Sequence, residues 1–261
     1  MLGDIYLIYK FMSDVDIIIP VCGNKKLVSE CFESLFPVPN NWKVITYINQ
    51  ISDIDGTTEY LYNKQKELAF EIIYEKVNLR HGAAVEVLLD RSKSKWVLHL
   101  DSDAKLLDKK FYDWAQKVIV SEKFKVWGRV DNKEPFPALN GKAIKLLRTH
   151  SWNVLFEREY ITKNNLSFSP EKLIITGIRE ENKSTVKDLK IWGDTSWQYY
   201  WKAARDDLFG RYPDDIWSCF SHKFHGSVDW MKENANKTST RGVPFNSTNT
   251  AVVDKIGWPN I

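Results

Sequence analysis

One pattern constrains this chain more than any other. Short apolar runs alternate with amphipathic stretches through its N-terminal part, and the last of these runs leads straight into Asp101-Ser102-Asp103. Asp16-Ile17-Ile18-Ile19-Pro20-Val21 is β-branched and apolar, is closed by Pro20 and Gly23, and reads as a buried strand. Asn24 can cap a helix with Leu27, Val28, Cys31, Phe32 and Leu35 on one face, stopped by Pro37. Lys43–Ile48 is a second strand, and the turn Asp53–Thr58 opens a second helix reaching about Leu68. Phe70–Tyr74 is a third strand, Gly82–Ser92 a third helix and Lys95–Leu100 a fourth strand. Such alternation predicts an α/β fold, a mostly parallel central sheet with right-handed crossovers and helices on both faces. Ligands of such sheets bind beyond the carboxyl ends of the strands, where Pro20, Val21, Asn49 and Asp101–Asp103 would lie.

Beyond Lys105 the pattern loosens. Leu107–Ser121 reads as a helix, Lys123–Val130 as a strand, Lys142–Arg148 and Thr195–Asp206 as helices, and Ile216–Phe224 as a strand. The stretch from Glu233 is polar, rich in Asn, Ser and Thr, and reads as a loosely packed extension. The expected organisation is a leader over 1–13, a domain over 14–230 and a polar extension over 231–261. The domain divides into a half that reads as nucleotide-binding, 14–110, and a second half, 111–230.

Composition narrows the function. At 261 residues the chain is near the upper limit for one core. Its net charge of +3 and scattered Lys/Arg pairs argue against a nucleic-acid partner. Three separated cysteines, Cys22, Cys31 and Cys219, make neither a disulfide framework nor a thiolate zinc site and suit a reducing compartment. No apolar run is long enough to span a membrane. Met1–Met12 carries Asp4 and Lys10 and lacks signal-peptide features, so a cytoplasmic location is expected, with peripheral membrane attachment left open. Eleven tryptophans offer platforms for sugar rings but are equally good core material.

Three Asp-x-Asp triplets occur: Asp14–Asp16, Asp53–Asp55 and Asp101–Asp103. The spelling alone decides nothing. The first precedes a strand and the second sits in a turn; only the third ends an apolar strand at the sheet's ligand edge. Mn2+ or Mg2+ bound to a diphosphate takes one or two carboxylates, with phosphate and water completing the shell. Asp103 and Asp101 suit that need, and a solvated or helix-capping turn is the alternative.

These features, in this order, resemble the inverting family 2 glycosyltransferases of the GT-A (nucleotide-diphospho-sugar transferase) fold. Asp16–Val21 looks like the family's opening strand, whose Pro20 and Val21 would line the base pocket. Asn49 stands where the family usually has Asp, ahead of an acidic turn similar to Asp53–Thr58. Asn78-Leu79-Arg80-His81-Gly82 looks like the Asn-and-Gly segment entering the third helix, and Glu86 departs from the family's common Asn. Resemblance implies that Asn78, Gly82, Asp101 and Ser102 touch the nucleotide sugar. Trp192-Gly193-Asp194 is similar to the Gly-Glu-Asp segment, with Gly193 in place of Glu. By resemblance Asp194 is the general base, and an N-cap is its alternative role. Phe220–Ser227 resembles the late His-containing segment, which offers His222 or His225 to the metal. In a strand these two would face opposite ways, and His222 is favoured.

The implied activity is metal-dependent transfer of a sugar, with inversion, from a UDP-, GDP- or dTDP-sugar to a carbohydrate or glycoconjugate hydroxyl. A nucleotidyltransferase is one rival, but Cys22-Gly23-Asn24-Lys25-Lys26 lacks a glycine-rich triphosphate loop. A non-catalytic carbohydrate-binding relative is the other. His99 reads as a satisfied core residue, and Trp127, Trp152, Trp192 and Trp197 as candidates for the acceptor wall.

Overall fold

Period-two alternation within the apolar runs sends successive side chains to opposite faces, so each run can hold helices on both sides. The computed structural model shows this directly; it describes residues 14–129, 136–137, 143–144, 151–168, 172–179, 186–192, 197–223 and 250–254. The first half runs β1 (Val15–Val21), α1 (Lys25–Leu35), β2 (Trp42–Ile48), α2 (Thr57–Gln65), β3 (Phe70–Ile73), α3 (His81–Arg91) and β4 (Trp96–Leu100). β1 pairs in parallel with β2 and with β4, and β2 with β3.

Next come β5 (Ala104–Leu106), α4 (Lys110–Ser121), β6 (Val126–Gly128), β7 (Phe136–Pro137), β8 (Ala143–Ile144), β9 (Asn153–Glu157) and α5 (Arg158–Lys163). The remaining elements are β10 (Lys172–Arg179), β11 (Val186–Trp192), α6 (Trp197–Arg205), β12 (Phe209–Arg211), α7 (Asp214–Trp217), β13 (Phe220–His222) and β14 (Thr250–Asp254). Among the described residues the central sheet has the order β12-β6-β9-β4-β1-β2-β3. Only β9 in it runs antiparallel to its neighbours, which places Asn153 beside Leu100 at the carboxyl edge of β4.

Both faces are filled as the alternation requires. Val15, Ile17, Ile19 and Val21 pack with Val28, Phe32 and Leu35 of α1 and with Phe111 and Ala115 of α4. Ile18, Ile45 and Val97 turn the other way, onto Ala84, Val85 and Leu88 of α3 and Tyr199 and Ala203 of α6. The face predicted for α1 is the one it buries, and the Asn24 side chain accepts from the Leu27 amide as its cap.

The second half corrects the sequence reading in several places. Residues 143–144 belong to a strand paired with Phe136–Pro137, not to a helix over 142–148. Cross-strand pairing overrides helical spacing there. Ile216 lies in α7, behind Pro213 and the first-turn pair Asp214-Asp215, so among the described residues 216–223 only Phe220–His222 is a strand. Helix α4 begins at Lys110 because the Leu107 amide donates instead to Cys219 O. Within the region read as a loosely packed extension, Thr250–Asp254 forms a strand parallel to β10.

Candidate active site

The three Asp-x-Asp triplets separate by what their carboxylates touch. Asp16 is buried at the amino end of β1, and its Oδ2 accepts from Ser92 Oγ and from the amides of Lys93 and Ser94. Asp53 accepts from the Thr58 and Glu59 amides at the start of α2. Asp55 accepts from the Thr57 amide and hydroxyl and from the Lys25 amide. Asp16, Asp53 and Asp55 are thus occupied with backbone amides and neighbouring hydroxyls and hold turns together, and Asp14 accepts from the Asn41 side-chain amide. Asp101 and Asp103 face imidazoles.

His222 arrives there through a short antiparallel pairing. β13 lies against β5 with His222 opposite Ala104, one residue beyond Asp103, and the Lys223 amide donates to Asp103 O. His222 Nε2 is 3.0 Å from Asp103 Oδ1. Its ring is stacked on Trp152, with centroids 4.6 Å apart and planes 5° apart. Asp101, Asp103 and His222 each offer a ligand atom, all within 4.8 Å of one another. Asp101 is anchored by its own amide, which donates to Trp152 O, and by its carbonyl, which accepts from Ala104 N in a tight turn.

On the other side of Asp101 lie two histidines. His99, two residues before it on the same face of β4, and His81, the first residue of α3, each place Nε2 3.4 Å from Asp101 Oδ1. Burial pushes the Asp101 carboxyl up, but His81, His99 and His222 outweigh it and hold it well below the usual carboxylate range. His99 is the core residue expected from the sequence, and it has a further role beside Asp101. It is fully buried, yet it is coupled to the acidic turn, and the period-two spacing of His99 and Asp101 was the available signal.

Two carboxylates and an imidazole fit a divalent cation that carries a diphosphate, and Asp101 Oδ1 is a buried oxygen with no hydrogen-bond partner among the described residues. The thiols offer no rival chemistry. Burial, then Asp103 and Asp101, push the Cys31 thiol far up, and burial, then Asp55, push Cys22 up to about 11. Both are kept protonated, as unreactive packing residues.

The other predicted residues gather along the same edge. Pro20 and Val21 close β1, both buried. Asn49 follows β2; its amide donates to Val21 O and its Oδ1 accepts from the Leu79 amide at 2.7 Å, tying the strand end to the entry of α3. Asn78 Oδ1 accepts from the Arg80 amide, and Gly82 is buried in the first turn of α3. Ser102 is buried between the two aspartates. Asp194 and His225 lie outside the described residues, and so does the Trp192 side chain, whose backbone ends β11. Trp127 is core, edge-on to Trp114 and Phe124, and Trp152 is core that backs His222.

Arg80 has the backbone φ 69° and ψ 168°, a region almost reserved for glycine. It stands between Asn78 and the helix start, so strain is concentrated at the ligand edge.

Comparison with known proteins follows this geometry. A model of glycosyl transferase family 2 matches residues 16–176. The crystal structure of S. aureus TarS 1-349 in complex with UDP is similar at 18% identity and a TM-score of 0.53, over 77% of this chain and 58% of that one. The complex of TarS 1-349 with UDP-GlcNAc gives the same identity and TM-score over 77% and 56%. A further TarS crystal structure matches over 77% of this chain and 35% of its own length. The chain thus spans from about a third to three fifths of the structures it resembles, a likeness of fold. No curated protein matched.

Proposed function

The chain belongs to glycosyl transferase family 2, and on that premise we propose that it moves a sugar from a nucleotide-sugar donor to a hydroxyl of a glycan or glycoconjugate, with inversion. The observation that carries this reading is the convergence of Asp101, Asp103 and His222 at the carboxyl edge of the sheet. Those residues would hold Mn2+ or Mg2+, and the ion, when bound, would offset charge on the leaving diphosphate.

The chain's own residues supply the rest. Pro20, Val21 and Asn49 border the place of the base. Asn78, Gly82 and Ser102 line the approach of the diphosphate, and the buried Gly82 lets a ligand come close to backbone. Trp152 keeps the His222 ring from turning, which fixes the direction of its Nε2. Asp194 is the proposed general base, which would take the hydroxyl proton as the new bond forms. UDP is the first carrier to test, because the TarS structures hold UDP and UDP-GlcNAc. No helix among the described residues is long and apolar enough to cross a membrane, and a cytoplasmic site of action is part of the proposal.

A thermal-shift panel tests it: UDP, GDP, dTDP and CMP, each with and without Mn2+, on the wild type and on Asp103→Ala. A ligand bound only by the native state at about 100 times its Kd adds ~2.7 kcal/mol of stability. A manganese-dependent shift with one nucleotide, lost in Asp103→Ala, is the expected outcome. Stability unchanged by any nucleotide would overturn the donor-site reading in favour of a glycan-binding relative.

A further inference from the structure

We propose that His81, His99 and Asp101 form a zinc site of their own, adjoining the donor edge and distinct in chemistry from the group of Asp101, Asp103 and His222. The proposal stands on the geometry of these three residues and not on the glycosyl-transfer reading.

The first observation is spacing. Both histidines put Nε2 3.4 Å from one oxygen, Asp101 Oδ1, and the ligand atoms of all three residues lie within 4.8 Å of one another. Hydrogen bonds of this kind run about 2.7–3.2 Å. A tetrahedral zinc with ligands at about 2.0–2.1 Å sets its donor atoms roughly 3.4 Å apart, which is the separation of each imidazole nitrogen from the carboxylate oxygen.

The second observation is the unmet demand of Asp101. Its Oδ1 is buried and has no hydrogen-bond partner among the described residues, although two imidazole nitrogens are aimed at it. Two imidazole nitrogens and a carboxylate oxygen converging in this way are donors that a cation between them can bridge.

The third is ligand type and access. Two imidazoles with one carboxylate select zinc over Mg2+ or Mn2+, which take the oxygen-rich group beyond Asp101. Rigid elements present the ligands, since His99 sits inside β4 and His81 opens α3, with ring centroids 5.5 Å apart. The His81 side chain is 39% exposed, so an ion has an entry and a water can take the fourth position.

The test uses metal-free protein without nucleotide. Zn2+ is titrated in competition with a chromophoric chelator, and Co2+ is followed by its visible d–d bands, which are intense only in tetrahedral sites. One equivalent of zinc should bind and should displace a tetrahedral cobalt spectrum. His81→Ala, at an exposed position, should bleach that spectrum and weaken zinc by at least about 100-fold, beyond what loss of an outer-shell partner does. His222→Ala should leave both unchanged, which separates this site from the donor-metal group. Absence of stoichiometric zinc in the wild type would overturn the proposal. So would zinc affinity that survives His81→Ala, or that is lost in His222→Ala.

Discussion

Replacing Asp16 by alanine tests whether the first acidic triplet is a structural clamp. One oxygen of this buried carboxylate accepts from the Ser92 hydroxyl at 2.7 Å, the Lys93 amide at 2.9 Å and the Ser94 amide at 3.1 Å. Ser92 and Ser94 are buried, so water does not replace the lost acceptor. The hydroxyl can rotate to another acceptor, but the two amides cannot. At about 1–3 kcal/mol for each buried donor left unsatisfied, the loss is roughly 2–6 kcal/mol before correction. Relief of the carboxylate's own desolvation offsets part of it, leaving about 3 kcal/mol. That is a large share of a typical stability of about 5–15 kcal/mol. In urea the midpoint should fall by about 1 M at a slope of roughly 3 kcal/mol/M, with the slope unchanged. Asp16→Asn, which keeps one acceptor oxygen, should lose about half as much. Asp16 lies ~16 Å along β1 from Val21 at the ligand edge, so nucleotide-induced shifts should persist. A midpoint within about 0.3 M of wild type would refute the clamp.

Three further outcomes follow from other sites. Burial raises the Glu71 carboxyl, but the hydrogen bonds from Lys43 and Arg91 outweigh it and hold it low. Its contribution is therefore full above the unfolded value of about 4.3 and is lost as pH falls through the lower folded value. Glu71→Gln should cost about 1 kcal/mol at pH 7, with the gap closing in acid, as read from urea midpoints at both pH values. At Gly210 an added Cβ would meet Trp127 Cε3 at 2.4 Å, and Trp127 is pinned by Trp114 and Phe124. Gly210→Ala should destabilise by about 1–3 kcal/mol in calorimetry. Arg80→Gly should be more stable than Arg80→Ala by at least about 1 kcal/mol, since both lose the guanidinium and only glycine tolerates φ 69° and ψ 168°.

Much of the fold was legible because local rules and global packing agree. The buried face of α1, its Asn24 cap and the parallel order of the first four strands all follow from spacing and alternation. Where a pairing partner, near or far in the chain, competes with helical spacing, local pattern failed. Ala143–Ile144 has helical spacing but pairs with Phe136–Pro137, and Leu107 is drawn out of α4 by Cys219.

The site divides in the same way. That Asp101 and Asp103 end a buried strand at the ligand edge is a property of sequence alone, since an apolar run must stop where water begins. The identity of their neighbours is not. His222 reaches Asp103 from 119 positions away through the β5–β13 pairing, and His81 reaches Asp101 because α3 packs on the face of β4 that carries His99. Sequence likewise supplied three acidic triplets and set the third apart by its place after an apolar strand, but only tertiary structure showed what each one touches. It gave backbone amides to Asp16, Asp53 and Asp55 and imidazoles to Asp101 and Asp103, because strand order and helix packing determine which donors surround a carboxylate.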